Sequence, residues 1–208
     1  MLIDPLDHIN YFKYHTPDEK KEFENAIQLY SSNRKGLNKI INKFTFRHDR
    51  RSFLIEESID YDTLMIDGNG RDDKWTEFAL SAESVNKADF IEFLRTLGLI
   101  ILFGETIEYD GKNELKILTV TINDLVHTIE YPYLEDELLL YRFVEVVNQE
   151  LKKINSPENV YMIERFPTIL LVTTEKIYQY LTELDSEDHF ELLKPEEWIE
   201  KYKSSAIE

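Results

Sequence analysis

Two tight-turn signals about a dozen residues apart constrain this chain more than any other feature. Asp110-Gly111 separates Thr106–Tyr109 from Glu114–Ile122, and Asn123-Asp124 separates Glu114–Ile122 from Leu125–Tyr131. Asp-Gly and Asn-Asp supply residues that tolerate positive φ, which a hairpin turn matched to strand twist requires. Three strands joined by such turns pair antiparallel, and an antiparallel meander needs something to cover its apolar side. The sequence also offers amphipathic helices. Asn86–Leu97 places Ala88, Phe90, Ile91, Phe93, Leu94 and Leu97 on roughly one side, with Gly98 where a left-handed C-terminal cap belongs. A longer helix is expected from about Leu134 to Ile154, with Leu134, Leu138, Tyr141, Val144, Leu151 and Ile154 as its core-facing stripe.

The remaining elements obey the same rules. Thr16-Pro17-Asp18-Glu19 reads as an N-cap, a first-turn proline and a capping-box glutamate, opening a helix that carries Phe23, Ala26, Ile27 and Tyr30 on one face. Ser31-Ser32-Asn33 with Gly36 ends it, and Leu37–Phe46 fits either a short helix or the start of a strand. Strands are expected at Ser52–Glu57, Tyr61–Ile66 and Lys74–Leu80, the last two joined by Asp67-Gly68-Asn69-Gly70. Leu99–Phe103 reads as a buried strand, and Asn159–Glu164 and Thr168–Val172 as two more around Phe166-Pro167, the second apolar enough to sit centrally. Thr173 or Thr174 caps a helix to about Leu184, residues 183–188 form an acidic loop, and Pro195 opens a last helix to Lys203. Hairpins and helices without strict alternation indicate an α+β fold, a largely antiparallel mixed sheet packed by about five helices. No Gly/Ser/Pro linker divides the 208 residues, so a single domain over 1–208 is expected, with the weakest join near residue 48 setting off a helical 1–48 subregion.

The absence of cysteine excludes disulfides, thiolate metal sites and thiol nucleophiles. The opening MLIDPLDHINYFKY carries Asp4 and Asp7 and does not read as a secretory signal, and the longest apolar run, Leu97–Phe103, is far short of a membrane span. A cytoplasmic protein that does not bind membrane is the expectation. The formal net charge is -17, and it is unevenly distributed: residues 1–51 carry ten Lys/Arg against seven Asp/Glu, a net of +3, and residues 52–208 carry the other fourteen against thirty-four, a net of -20. Such a field repels nucleic acid and draws basic partners inward. The one basic concentration, Arg47-His48-Asp49-Arg50-Arg51 with Lys35, Lys39 and Lys43 upstream, stands against that excess, so no nucleic-acid binding is expected.

No catalytic or cofactor motif is present in complete form. Gly68 and Gly70 precede a strand, not a helix, so they do not build a phosphate loop. Asp67-Gly68-Asn69-Gly70-Arg71-Asp72-Asp73 resembles half of a calcium loop but has Asp72 where the loop needs glycine and Phe78 where it needs a bidentate glutamate. His8, His15, His48, His127 and His189 never fall at paired metal-ligand spacing, and no Gly-x-Ser-x-Gly elbow occurs. No cofactor and no metal are expected.

Three clusters combine acids with aromatic anchors, the composition of a binding hot spot with a charged rim: Asp67, Asp72 and Asp73 beside Trp75; Glu135, Asp136 and Glu137 beside Tyr131 and Tyr133; and Asp185, Glu187 and Asp188 near Phe190. The plainer reading is that Glu135 to Glu137 favour a helix N-terminus and that Asp185 to Asp188 are a solvated loop. The sequence therefore points to a non-enzymatic acidic domain that binds a basic protein, for example an inhibitor or immunity protein that neutralises a basic toxin or nuclease. The alternatives are an enzyme whose carboxylates converge, with Asp67, Asp72 and Asp73 as first metal ligands, and a homo-oligomeric regulatory or scaffold module.

Overall fold

A computed structural model describes residues 4–30, 41, 45, 51–55, 85–132, 137–163, 168–184 and 191–205. The expected strands Tyr61–Ile66 and Lys74–Leu80 lie outside them. Among the described residues the elements run α1 (Asp4–His8), α2 (Pro17–Tyr30), β1 (Ser52–Ile55), α3 (Val85–Thr96), β2 (Ile101–Asp110), β3 (Leu115–Ile122), β4 (Leu125–Pro132), α4 (Glu137–Lys153), β5 (Glu158–Ile163), β6 (Thr168–Thr174), α5 (Glu175–Thr182), β7 (Leu192–Leu193) and α6 (Pro195–Ser205). The fold is α+β, with a four-stranded sheet ordered β1-β6-β5-β7 and a three-stranded sheet ordered β2-β3-β4. The chain is arranged in two compact units, one of Met1–Phe53 with Pro157–Lys194 and the other of Leu54–Ser156 with Pro195–Glu208.

In the first unit the capping box at α2 forms as the residues dictate. The Thr16 N–H donates to Glu19 Oε2 at 2.6 Å and the Glu19 N–H to Thr16 Oγ1 at 3.3 Å, so both exposed donors at the helix start are satisfied. The short α1 adds to the expected elements; its signal is Asp4-Pro5, an acid followed by a first-turn proline. Of the ambiguous Leu37–Phe46 stretch, Ile41 and Thr45 are described and both are helical, the Thr45 hydroxyl donating to the Ile41 carbonyl at 2.8 Å. β5 pairs antiparallel with β6 from Glu158↔Thr174 to Ile163↔Ile169, and with β7 through Met162↔Leu193 and Ile163↔Leu192. β6 takes an interior place in the sheet, as its apolar composition requires, and Ile169 to Val172 are buried on both faces. Thr174 caps α5, its hydroxyl accepting from the Ile177 N–H at 3.4 Å.

In the second unit α3 ends in a Schellman motif. The Leu99 N–H donates to the Leu94 carbonyl and the Gly98 N–H to the Arg95 carbonyl, both at 3.0 Å, with Gly98 at φ +96°. The β3–β4 connection is a two-residue turn with Asn123 at φ 48° and Asp124 at φ 66°, the type I′ geometry that the sequence predicts. The β2–β3 connection differs from expectation. It is a four-residue loop, 111–114, in which Glu114, not Gly111, takes the positive φ of 54°. Asp110 organises it, its carboxylate accepting from the Lys112 N–H at 3.0 Å and from the Asn113 side chain at 2.7 Å, and these bonds hold the Asp110 carboxyl below the usual range. A further difference lies in β2. What reads as two strands is one, with the partner register stepping from Phe103↔Val120 to Ile107↔Leu118, so residues 104–106 stand opposite Thr119. The net insertion is of two residues, an even number, so the pleats of β2 and β3 stay in phase on either side of it.

Leu134, the expected start of α4, lies outside the described residues; α4 buries Leu138, Tyr141, Val144 and Leu151 of the expected stripe, together with Leu139, Leu140, Phe143 and Val147, while Ile154 lies beyond the helix and is 39% exposed. Phe143 meets Phe103 of β2 with ring centroids 5.5 Å apart, so α4 covers the face of the sheet that carries Phe103, Val120 and Ile129. No helix among the described residues is long and apolar enough to cross a membrane.

Asn123 joins the turn to the helix cap. Its side-chain oxygen accepts from the Ile100 N–H at 2.8 Å, and its side-chain amide donates to the Gly98 carbonyl at 2.9 Å. Asn123→Ala is expected to cost about 2 kcal/mol, from two lost hydrogen bonds and a Cβ residue without Asn's tolerance of positive φ. Gly98→Ala is expected to cost about 1 kcal/mol through its backbone angle. The added Cβ would sit 3.6 Å from Ile154 Cδ1, an ordinary contact, so Gly98→Asn should cost less than Gly98→Ala. Urea midpoints at constant slope measure both.

Candidate functional site

Most of the residues singled out in the three acidic-aromatic clusters fall outside the described part of the chain. Asp67, Asp72, Asp73 and Trp75 do, as do Tyr133, Glu135, Asp136, Asp185, Glu187 and Asp188. Glu137 is the first residue of α4, and Tyr131 lies near the end of β4 opposite Lys116. Tyr131 is 1% exposed, so its ring packs inside the second unit, where an alternating strand puts every second residue.

Three buried or half-buried carboxylates organise polar contacts elsewhere. In the first unit Glu158, 2% exposed at the start of β5, accepts from Lys13 Nζ and from the Tyr14 hydroxyl, each at 2.5 Å. The hydrogen bond to Glu158 raises the Lys13 pKa, and burial followed by the same carboxylate raises that of Tyr14. In the same unit, the buried Arg51 places its guanidinium 5.0 Å from the centre of the Tyr11 ring, and the Tyr11 and Thr45 hydroxyls are hydrogen-bonded.

The second carboxylate, Glu175 at the start of α5, accepts from the Tyr161 hydroxyl at 2.8 Å and meets Lys194 Nζ at 3.4 Å. Tyr161 and Tyr178 stack at 4.3 Å. Burial pushes the Glu175 carboxyl up, but the bonds from Tyr161, Lys194 and Gln179 outweigh it and hold the group below its usual value. Burial, then the hydrogen bond to Glu175, raises the Tyr161 phenol far above its usual value.

In the second unit Glu150 of α4 is buried, with Lys153 Nζ at 2.5 Å and His127 Nε2 of β4 at 3.3 Å. The Glu158 and Glu175 contacts join separate elements and the Glu150–Lys153 pair closes a helix turn, which is the work of structural polar contacts. Among the described residues no three His, Cys, Asp or Glu side chains gather as metal ligands.

The surface that stands out is the outer face of the three-stranded sheet. Along β3 the residues alternate half-buried and buried, Lys116, Leu118, Val120 and Ile122 facing α4's side and Leu115, Ile117, Thr119 and Thr121 facing out. The register extends that outer face across the sheet in rows: Leu102↔Thr121↔Val126, then Thr119↔Thr128, then Ile117↔Glu130. Leu102 is 60% and Val126 69% exposed, flanking Thr121, and Ile100, two residues before Leu102, is 54% exposed. The expected burial of Leu99–Phe103 is thus half right: Leu99 and Ile101 are buried, but Ile100 and Leu102 are not.

The contrast with β6 gives the physical reason. Both are unbroken apolar runs, the pattern of a strand covered on two sides. β6 receives two-sided cover, whereas the Leu99–Phe103 run is covered on one side, leaving its alternate residues in solvent. The run itself is the signal that sequence reasoning missed, because a continuous apolar strand does not say which of its faces the chain will cover. No protein-family model, curated protein or solved structure matches this chain.

The polar contacts of the first unit carry a pH consequence. In the unfolded chain the Tyr161 phenol ionises near its ordinary value of 10.0, and in the folded chain only above it. The unfolded state therefore loses protons first, so the contribution of Tyr161 is complete below pH 10 and declines as pH rises further. Tyr161→Phe should cost about 1.5–3 kcal/mol at neutral pH, the value of a hydrogen bond to a charged group. It should also flatten the alkaline decline in stability, read as the urea midpoint against pH. An unchanged alkaline slope would contradict the assignment.

Proposed function

We propose that this protein is a non-enzymatic binding domain whose acidic surface docks onto a basic protein, in its narrower form an inhibitor or immunity protein that occludes a basic toxin or nuclease. The observation that carries the reading is where the negative charge sits. Residues 52–208 hold a net charge of -20. In the second unit, Asp89 and Glu92 of α3 and Glu196, Glu197 and Glu200 of α6 are all exposed. Acids held in solvent on ordered helices create a field that steers cationic partners and disfavours nucleic acid and anionic lipid. The described carboxylates that are buried, Glu150 and Glu158, each meet a lysine of their own chain, and the exposed Glu92 meets Arg95 at 2.8 Å.

Affinity capture from a lysate of the native host tests the reading. A basic protein in stoichiometric amount should be held at about 50 mM salt and released by about 300 mM, because screening shortens the range of exposed charges to several ångströms. Enzymes of unrelated charge, or no partner at either salt, would overturn it. Homogeneous self-association in place of a partner would support the scaffold alternative.

A further inference from the structure

We infer that the outer face of the β2-β3-β4 sheet, centred on Leu102, Thr121 and Val126 with Ile100 beside Leu102, is the docking surface for a segment of a partner protein that carries apolar side chains flanked by Lys or Arg. This rests on the partner-binding reading above and gives it a location. Three observations converge on the face. The first is the apolar excess: a β strand with an unbroken apolar run is covered on only one side, and its outward residues Ile100 and Leu102 stand more than half exposed. The second is adjacency. Leu102 and Val126 occupy the same cross-strand row on either side of Thr121, so their side chains form one continuous patch across three strands.

The third observation is charge. Asp124, in the turn beside Val126, and Glu130, four residues beyond Val126 on the same face of β4, are both exposed. Among the described residues of the outward rows no Lys or Arg appears; β3 contributes Leu115, Ile117, Thr119 and Thr121, and β4 contributes Val126, Thr128, Glu130 and Pro132. An apolar centre with an acidic edge complements a basic, apolar segment. A second copy of the same face would set Asp124 and Glu130 against like charges, in a chain already at -17. Charge complementarity therefore selects a foreign basic partner over a homodimer.

The test is methyl-resolved NMR of the full chain titrated with a synthetic peptide of alternating Leu and Lys, and separately with one of alternating Leu and Glu. The Leu–Lys peptide should shift the methyl resonances of Ile100, Leu102 and Val126 saturably, and the Leu–Glu peptide should leave them in place. Leu102→Ser with Val126→Ser should weaken binding about tenfold, as loss of central anchors does, without moving the urea midpoint. Asp124→Asn with Glu130→Gln should flatten the salt dependence. Shifts centred on α3 and α6 instead would overturn this surface while leaving the acidic docking reading intact. Equal binding of both peptides would overturn the charge argument and the proposal with it, and no binding of either at low salt would sink both readings. A dimer in sedimentation that the double serine variant dissolves would show a second copy on the face, contrary to the inference.

Discussion

The register of the three-stranded sheet depends on one turn, and the character of its outer face depends on the register. Asn123 and Asp124 adopt the left-handed conformations of a type I′ turn, and the Asn123 side chain then bonds Gly98 and Ile100, tying the β3–β4 turn to the α3 cap and to the entry of β2. A one-residue slip on either strand would exchange its faces, turning Val120 and Ile122 outward and Thr119 and Thr121 inward. The same few hydrogen bonds thus decide that Phe103, Val120 and Ile129 meet the core while Leu102 and Val126 meet solvent. Stability and surface identity share a single local cause.

A chain with this much negative charge folds by sorting its acids. Those of α3 and α6 point into water, where self-repulsion is screened. Among the described residues the two buried acids, Glu150 and Glu158, each approach a lysine at 2.5 Å, so neither faces the interior as an uncompensated charge. Both lysines keep about half of their side chains in solvent, which limits the energy of each pair and makes positioning their larger effect. Glu158 joins the residues after α1 to β5, across more than a hundred residues of sequence, and Glu150 with His127 joins α4 to β4.

The local elements were legible because each rests on short-range chemistry. Thr16 to Glu19 predicts a capping box that forms, Gly98 predicts the left-handed cap it occupies, Asn123-Asp124 predicts its turn, and Thr174 caps its helix. The misreadings also have local causes. Asp-Gly is the residue pair of a two-residue turn, but Asp110 organises a longer loop by accepting hydrogen bonds from residues two and three ahead, leaving Glu114 to take the positive angle. A bulge joins two expected strands into one because an insertion of two residues leaves the alternation of the strand unchanged beyond it.

By itself the sequence determined the α+β class, the antiparallel hairpins, the helix caps and the acidic surplus, all of which come from neighbouring residues or from simple counting. Only the tertiary structure decided how many sides of an apolar strand are covered. Thr168–Val172 and Leu99–Phe103 read alike, yet one became an interior strand and the other the rim of an exposed apolar row. That Glu158 would pair internally was likewise a matter of a distant partner, Lys13, whereas Glu150 meets Lys153 one turn along its own helix. Burial and such distant pairing are properties of the elements that arrive from elsewhere in the chain, and no local pattern encodes their arrival.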